Sequence, residues 1–371
     1  MTETMANTGR ASDVIVVGGG IIGLLTAREL AISGAAVTLI EMGATGQESS
    51  WAGGGIVSPL YPWRDPEPIT ALARWSRTAY PRLAEALIDE TGLDPEYTAS
   101  GMLVLDREEQ PAAHAWAARH GEPIETLAAA RLHELEPQLG SELTDALRLP
   151  EIAQIRTPRL AKAVRRSVEP RIRLREHEEV MDLEITSGRV TGVRTRSGTV
   201  AASAVVICAG AWTARLLAQL GQPPEITPVR GQMILFHGKP GQITHITLYQ
   251  DRYLIPRRDG RLLFGSTIEH SGFVKATTAE VREALYRAAF AMFPVLKQTP
   301  IEEHWSGLRP SSPSGIPYIG AHPEATGLFI NAGHFRNGLV TGPASARLAA
   351  DLLLQRPPIL DPTPYALQAQ R

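Results

Sequence analysis

The sequence predicts an α/β nucleotide-binding domain on a parallel sheet, interleaved with an α+β domain built on an antiparallel sheet. Three observations carry this. A run of apolar β-formers, Val14 to Val17, leads into Gly18-x-Gly20-x-x-Gly23 and then into a helical stretch. The order strand, glycine turn, helix recurs near the C-terminus between Gly327 and Gln355, without a second phosphate fingerprint. Between the two lie helical stripes consistent with an inserted domain and a strand-rich stretch from Ile226 to Ile268.

The N-terminal unit justifies itself residue by residue. Val14 to Val17 suit a strand buried on both faces. Gly18 makes the tight turn, Gly20 lets a pyrophosphate approach the backbone, and Gly23 lets helix and strand pack closely, leaving a helix N-terminus at Ile21 and Ile22 aimed at the phosphates. A helix over Ile21 to Ser33 ends at Gly34, a second parallel strand runs from Ala36 to Ile40, and Glu41 closes it where a carboxylate binds ribose hydroxyls. A glycine turn after a strand also marks a merely tight βα connection, but this context favours a dinucleotide site. No Arg or Lys immediately follows Glu41, so an extra 2′-phosphate would meet uncompensated negative charge.

Size and composition set the bounds. A chain of 371 residues suits two domains, or one interrupted by another, and a net charge of −2 lacks the basic excess of a nucleic-acid binder. Small molecules are the expected partners. The single cysteine, Cys208, excludes an intrachain disulfide and reads as a small buried hydrophobe. The ten histidines show no metal-ligand spacing, so no metal is expected. Met1 to Arg10 holds no apolar core of a signal peptide, and no stretch reads as a transmembrane helix. A cytoplasmic enzyme is the expectation.

Further along, Gly43 to Ile56 reads as a glycine-rich loop, too polar for a strand and too flexible for a helix. There Ser49 and Ser50 can bond a phosphate, and Gly54 and Gly55 permit close approach to a flat ring. Ile69 to Thr91 reads as helical, with Leu72, Trp75, Ala79, Leu83 and Leu87 as its core stripe, Pro81 kinking or dividing it, and Gly92 stopping it. Thr157 and Pro158 suit the N-cap and first position of the next helix. Strands follow at Arg171 to Arg175, Glu179 to Thr195 and Val200 to Gly210, and a hairpin turns near Asp259-Gly260. Thr277-x-x-Glu280 predicts a capping box for a helix reaching Phe293. Ile301 to Leu308 is a strand candidate, Gly327 to Ala332 the last strand, and Leu339 to Gln355 the final helix.

Gly18 to Gly23 with Glu41, the Ser49-Ser-Trp-Ala-Gly-Gly-Gly55 loop, Tyr253-Leu-Ile-Pro-Arg257, Trp305-Ser-Gly-Leu-Arg-Pro310 and Ala332-Gly-His-Phe-Arg-Asn-Gly338 occur in one chain in this order. On these motifs nearly the whole chain resembles the D-amino-acid oxidase family of flavoproteins. The resemblance implies a Rossmann-like FAD-binding domain over residues 12–68, 151–222 and 310–371, and a substrate domain over 69–150 and 223–309. It implies FAD rather than NAD, held noncovalently, because the C-terminal cysteine that tethers flavin in related sarcosine oxidases is missing. Glu41 and Met42 are then expected at the adenosine and Val180 near the adenine. Ser49, Ser50, Gly54, Gly55 and Ile56 are expected along the cofactor, and His334, Phe335, Arg336, Asn337, Gly338, Leu339 and Val340 around the isoalloxazine.

For the substrate, the resemblance assigns Arg309 to the carboxylate through a two-donor fork, Tyr253 to the same group through its hydroxyl, and Arg336 to the substrate end of the flavin. Read alone, Arg309 would be a structural ion pair with a nearby Glu, Tyr253 a hairpin aromatic, and His334 a turn residue. The implied reaction is oxidative deamination of glycine and other small amines, sarcosine and small D-amino acids included, to 2-oxo acid, ammonia and hydrogen peroxide. Hydride transfer to flavin needs no catalytic residue of the protein's own. The implied setting is supply of the glycine imine for the thiazole of thiamine, by a homotetramer. A dehydrogenase passing electrons to a quinone or a protein is the alternative.

Overall fold

The structure, a computed structural model, describes residues 12–221 and 223–370; the tail from Met1 to Arg10 lies outside them. The chain opens with β1 (Ser12–Val17), α1 (Ile21–Ile32) and β2 (Val37–Ile40), a βαβ unit whose strands pair in parallel with Val14 beside Val37. A single turn, α2 (Ser49–Ala52), sits inside the glycine-rich stretch read as pure loop. Its first hydroxyl, Ser49 Oγ, donates to the Leu308 carbonyl, and that distant contact stabilises a turn that local propensity alone does not.

The excursion that follows comprises α3 (Glu67–Thr91), β3 (Met102–Val104), α4 (Gln110–His120), β4 (Glu125–Ala128), α5 (Ala129–Leu135) and β5 (Asp145–Leu149). Pro81 does not divide α3, which runs unbroken through it. The lost hydrogen bond is outweighed by burial of Ile69, Leu72, Ala73, Ser76, Tyr80, Ala84 and Leu87, a stripe rotated from the expected one toward smaller side chains. Those small residues admit a neighbouring helix closely enough for Ser76 Oγ to accept from the Ala344 amide at 2.9 Å and for Tyr80 to donate to the Leu339 carbonyl at 2.6 Å.

The chain then returns through α6 (Thr157–Val168), β6 (Arg173–Arg175), β7 (Val180–Thr186), β8 (Arg189–Thr195), β9 (Gly198–Ile207) and α7 (Thr213–Leu216). Thr157 does not cap α6; its hydroxyl donates to the Gly53 carbonyl at 2.8 Å and so ties the helix to the glycine loop. A second passage supplies β10 (Thr227–His237), β11 (Ile246–Tyr249), β12 (Arg252–Pro256), β13 (Arg261–Gly265), α8 (Ala279–Met292) and β14 (Ile301–Ser311). The cap of α8 is Thr278 rather than Thr277, accepting from the Val281 amide at 3.4 Å, because the Gln232 side chain takes the Thr278 amide and fixes where the helix begins. The chain ends with β15 (Tyr318–Ala321), β16 (Leu328–Ala332) and α9 (Gly338–Leu353). β15 is an edge strand that the Pro- and Ser-rich sequence before it conceals; it pairs antiparallel with β16.

Two eight-stranded sheets result. In the first the order is β15-β16-β9-β1-β2-β6, parallel from β16 to β6, with β7 and β8 branching antiparallel from β9. α1, α3, α6 and α9 cover one face around Val14, Val16, Leu24 and Leu39, while Ile15, Val17, Val205 and Ile207 meet the β7-β8 ribbon on the other. This is the Rossmann-like architecture expected, with a β ribbon rather than helices on its second face. The second sheet runs β14-β10-β13-β12-β11-β3-β5-β4 and is antiparallel except where β11 meets β3. Its alternation is clean. Ile234, Phe236, Leu254 and Phe264 pack toward α8, whereas Met233, Tyr253, Ile255 and Leu263 share the opposite cluster with Ile56 and Tyr61. That second face closes over the carboxyl edge of the first sheet. Among the described residues, no helix is long and apolar enough to cross a membrane.

Candidate active site

A cavity of about 500 Å³ runs from the first glycine turn to the second sheet, within the ordinary size for small-molecule sites. At the turn, Gly18 has φ +106°, and a side chain there would collide with the Cys208 carbonyl; Gly23 is as tightly set against Gly18. The N-cap of α1, Gly20, offers no side-chain cap, and the first turn holds no acid, so the positive end of the helix is left for an anion. Ser50 Oγ reaches the Ile21 amide at 2.7 Å, placing its hydroxyl at that same end. Glu41 accepts from the Gly19 amide at 2.6 Å and the Gly43 amide at 2.9 Å, so its carboxylate is held at the lip.

The glycine loop is gripped from the second sheet. Gly54 faces Ile255 and Tyr253, where a Cβ would lie 2.9 Å from Ile255 Cδ1. The Arg257 guanidinium donates to the Gly54 carbonyl at 2.6 Å and to Gln154 Oε1 at 2.8 Å. Burial pushes Arg257 down to about 10, which still leaves it charged at neutral pH.

At the other end, Arg309 lies on β14, with Nη2 donating to Ser266 Oγ at 2.7 Å and Nη1 to the Thr267 carbonyl at 3.0 Å. Its ordinary acidic partner is taken. Glu269, the nearby carboxylate, pairs instead with Arg230 at 2.6 Å and accepts from Gln232 and Thr267 as well. Among the described residues Arg309 forms no ion pair with a carboxylate. Burial lowers its pKa, the Tyr253 hydroxyl beside it favours the charge, and Arg336 opposes it. A desolvated guanidinium with neutral ligands on one side and a cavity on the other is arranged for an incoming anion.

Tyr253 is buried on β12 and its hydroxyl donates to Met233 Sδ at 3.8 Å. Arg336 lies in the turn before α9, next to Asn337, whose amide donates to Asp65 Oδ1 at 3.2 Å. Burial raises the Asp65 carboxyl, while Asn337 and Arg336 pull it back. His334 is fully enclosed, bonded through Nε2 to Ser345 Oγ at 3.1 Å, and burial pushes it down to about 3. It is a neutral spacer.

The structure gathers Gly18, Gly20, Ile21, Ile22, Glu41, Met42, Ser49, Ser50, Gly54, Gly55, Ile56 and Val180 on one cavity wall or another, together with Tyr253, Arg309 and the run from His334 to Leu339. Two expected residues are not on the wall. Gly23 packs against Gly18 instead, and Val340 points into the core among the helices. Residues with no assignment from sequence join the lining: Met233, Gly231, Gly307, Trp212 and Arg215. Gly231 and Gly307 stand opposite each other in the β10-β14 register, and such a glycine pair within two strands is the one sequence signal of a close approach there. No cluster of side chains suited to a metal ion occurs among the described residues.

A channel joining a phosphate-type helix terminus to a part-buried guanidinium without an acidic partner among the described residues defines a dinucleotide-dependent enzyme of small carboxylates. The chain belongs to the FAD dependent oxidoreductase family, whose pattern it matches over residues 13–352, and FAD is its cofactor. It is 48% identical over 355 residues to the glycine oxidase of Pseudomonas aeruginosa PAO1, covering 95% of this chain and 98% of that one. The crystal structure of glycine oxidase from Geobacillus kaustophilus superposes with a TM-score of 0.93 at 32% identity, covering 98% of this chain and all of that one. The bifunctional protein ThiO/ThiG of Trichormus variabilis is 30% identical across 93% of this chain, which spans 53% of that longer protein.

Proposed function

We propose that the protein oxidises glycine and other small amino acids with oxygen, giving a 2-oxo acid, ammonia and hydrogen peroxide. The observation that carries this is Arg309: a part-buried cation with no carboxylate partner among the described residues, open to the cavity. The residues present fit FAD. Gly18 and Gly20 leave the backbone bare where side chains would obstruct a pyrophosphate, Ser50 and the α1 terminus supply donors, Glu41 stands at the ribose position, and Gly54 and Gly55 bare the loop for a flat ring.

FAD, when bound, supplies the two-electron acceptor and its reoxidation by oxygen. The chain's own part is binding and orientation. Arg309 and Tyr253 grip the carboxylate and Arg336 adds positive potential, and their fixed placement orients the substrate. The substrate's neutral amine carries the charge that develops on oxidation to the imine, so no protein base is required; His334, neutral and buried, is not one. Water then converts the glycine imine to glyoxylate and ammonia. The same reading places the protein in the cytoplasm as a homotetramer with noncovalent FAD. It divides the chain at the boundaries given above, and it has the imine feed thiamine thiazole synthesis.

Anaerobic mixing of the yellow holoenzyme with glycine tests it. Bleaching followed by one peroxide and one glyoxylate per glycine on admitting air is the expected result. Bleaching without peroxide, restored only by an added dye or quinone, would make the protein a dehydrogenase, and no bleaching with any small amino acid would overturn the proposal.

A further inference from the structure

We propose that Met233 is the first side chain oxidised by the peroxide the enzyme itself makes, and that its sulfoxide then restrains Tyr253 as a turnover-dependent brake. The inference rests on the oxidase reading above.

Three of the described thioethers, Met42, Met181 and Met233, line the cavity. Met42 and Met181 are 42% and 50% exposed, so oxidant arriving from solvent reaches them first. Met233 is 3% exposed and hidden from solvent, yet it shares its wall with Arg309 and Tyr253, where the substrate is held and peroxide is released. Exposure and origin of the oxidant therefore give opposite orders of damage. The other described methionines, Met102 and Met292, are packed in cores and do not line the cavity.

The chemistry balances with what the reaction supplies. A sulfur lone pair attacks one peroxide oxygen; the O–O bond breaks and an S–O bond forms. The sulfur gives up two electrons, the departing oxygen is reduced, and both peroxide protons leave in one water. The consequence falls on Tyr253. Its hydroxyl already donates to Met233 Sδ at 3.8 Å, a weak contact with a poor acceptor. A sulfoxide oxygen is a far stronger acceptor and draws that hydroxyl away from the substrate carboxylate.

The test runs the holoenzyme with glycine in air, counts peroxide, and maps oxygen gain on each methionine peptide by mass spectrometry, with and without catalase. A parallel sample receives added peroxide and no glycine. During turnover, Met233 should gain oxygen ahead of Met42 and Met181 and be little protected by catalase; with added peroxide the order should reverse. The KM for glycine should rise several-fold as Met233 oxidises, fall again on treatment with methionine sulfoxide reductase, and stay constant with time in Met233→Leu, whatever that variant's starting rate. Peroxide formed with Met233 unmodified, or modified only behind the exposed methionines and only without catalase, overturns this inference alone. Absence of peroxide overturns the oxidase reading and this inference with it.

Discussion

The Arg309 guanidinium lies flat on the Cα of Gly231, so close that a Cβ at position 231 would collide with its central carbon and both terminal nitrogens. Gly231 on β10 stands opposite Gly307 on β14; the bare backbone of Gly231 makes the slot in which the fork rests, while Gly307 is closed off by Ala52. Gly231→Ala should push the fork out of line without touching the flavin end. The expected outcome is a rise in glycine KM of about tenfold or more, in keeping with the cost of an ångström-scale misplacement, while flavin content is unchanged. Steady-state kinetics and the visible spectrum check both halves.

Arg309→Lys keeps the charge and loses the fork. Truncating one partner of a buried charge pair costs roughly 2–5 kcal/mol, so kcat/KM for glycine should fall at least about tenfold, each decade being worth about 1.4 kcal/mol. Unchanged kinetics in this variant would sink the assignment.

Gly18→Ala adds a methyl group against the Cys208 carbonyl at a backbone φ of +106°. The turn must open and the first strand must part from β9, so the variant should purify colourless or lose flavin on gel filtration. A full complement of FAD in this variant would show that the turn does not hold the cofactor.

His334 gives a pH signature with a definite sign. Its folded-state pKa is depressed from 6.5 to about 3, so between those values the unfolded chain binds the proton and the native one does not. Stability is therefore fully present above 6.5 and is lost as pH falls toward 3, with a slope of up to about 1.4 kcal/mol per pH unit from this group. The urea midpoint should fall further between pH 7 and pH 5 for the wild type than for His334→Gln. Parallel losses would show that the imidazole is not the source.

Much of this was written in the sequence because it depends on neighbours along the chain. The run from Gly18 to Glu41 encodes strand, turn, helix and carboxylate within one local unit, and β12 to β13 announces its own hairpin. Arg309, Tyr253 and Arg336 were legible only through their motifs, since nothing in the residues near Arg309 tells that Glu269 is already engaged by Arg230. Met233 was illegible for a plainer reason: what brings it to the cavity is how the second sheet folds over the first, while Trp212 and Arg215 stand on the short helical turns that follow β9. Pro81 misled because local cost was weighed without the burial of Tyr80 and Leu87 on either side of it.

The strand that carries Arg309 is also fastened to the loop that fits the ring. Ser49 Oγ bonds the Leu308 carbonyl, Trp305 Nε1 bonds the Ala52 carbonyl at 3.2 Å, and Gly307 is pressed against Ala52. Carboxylate anchor and ring platform thus behave as the two jaws of a fixed calliper. On the proposed reading, such an instrument would measure its guest by length, set by the distance from the acid group to the reactive carbon.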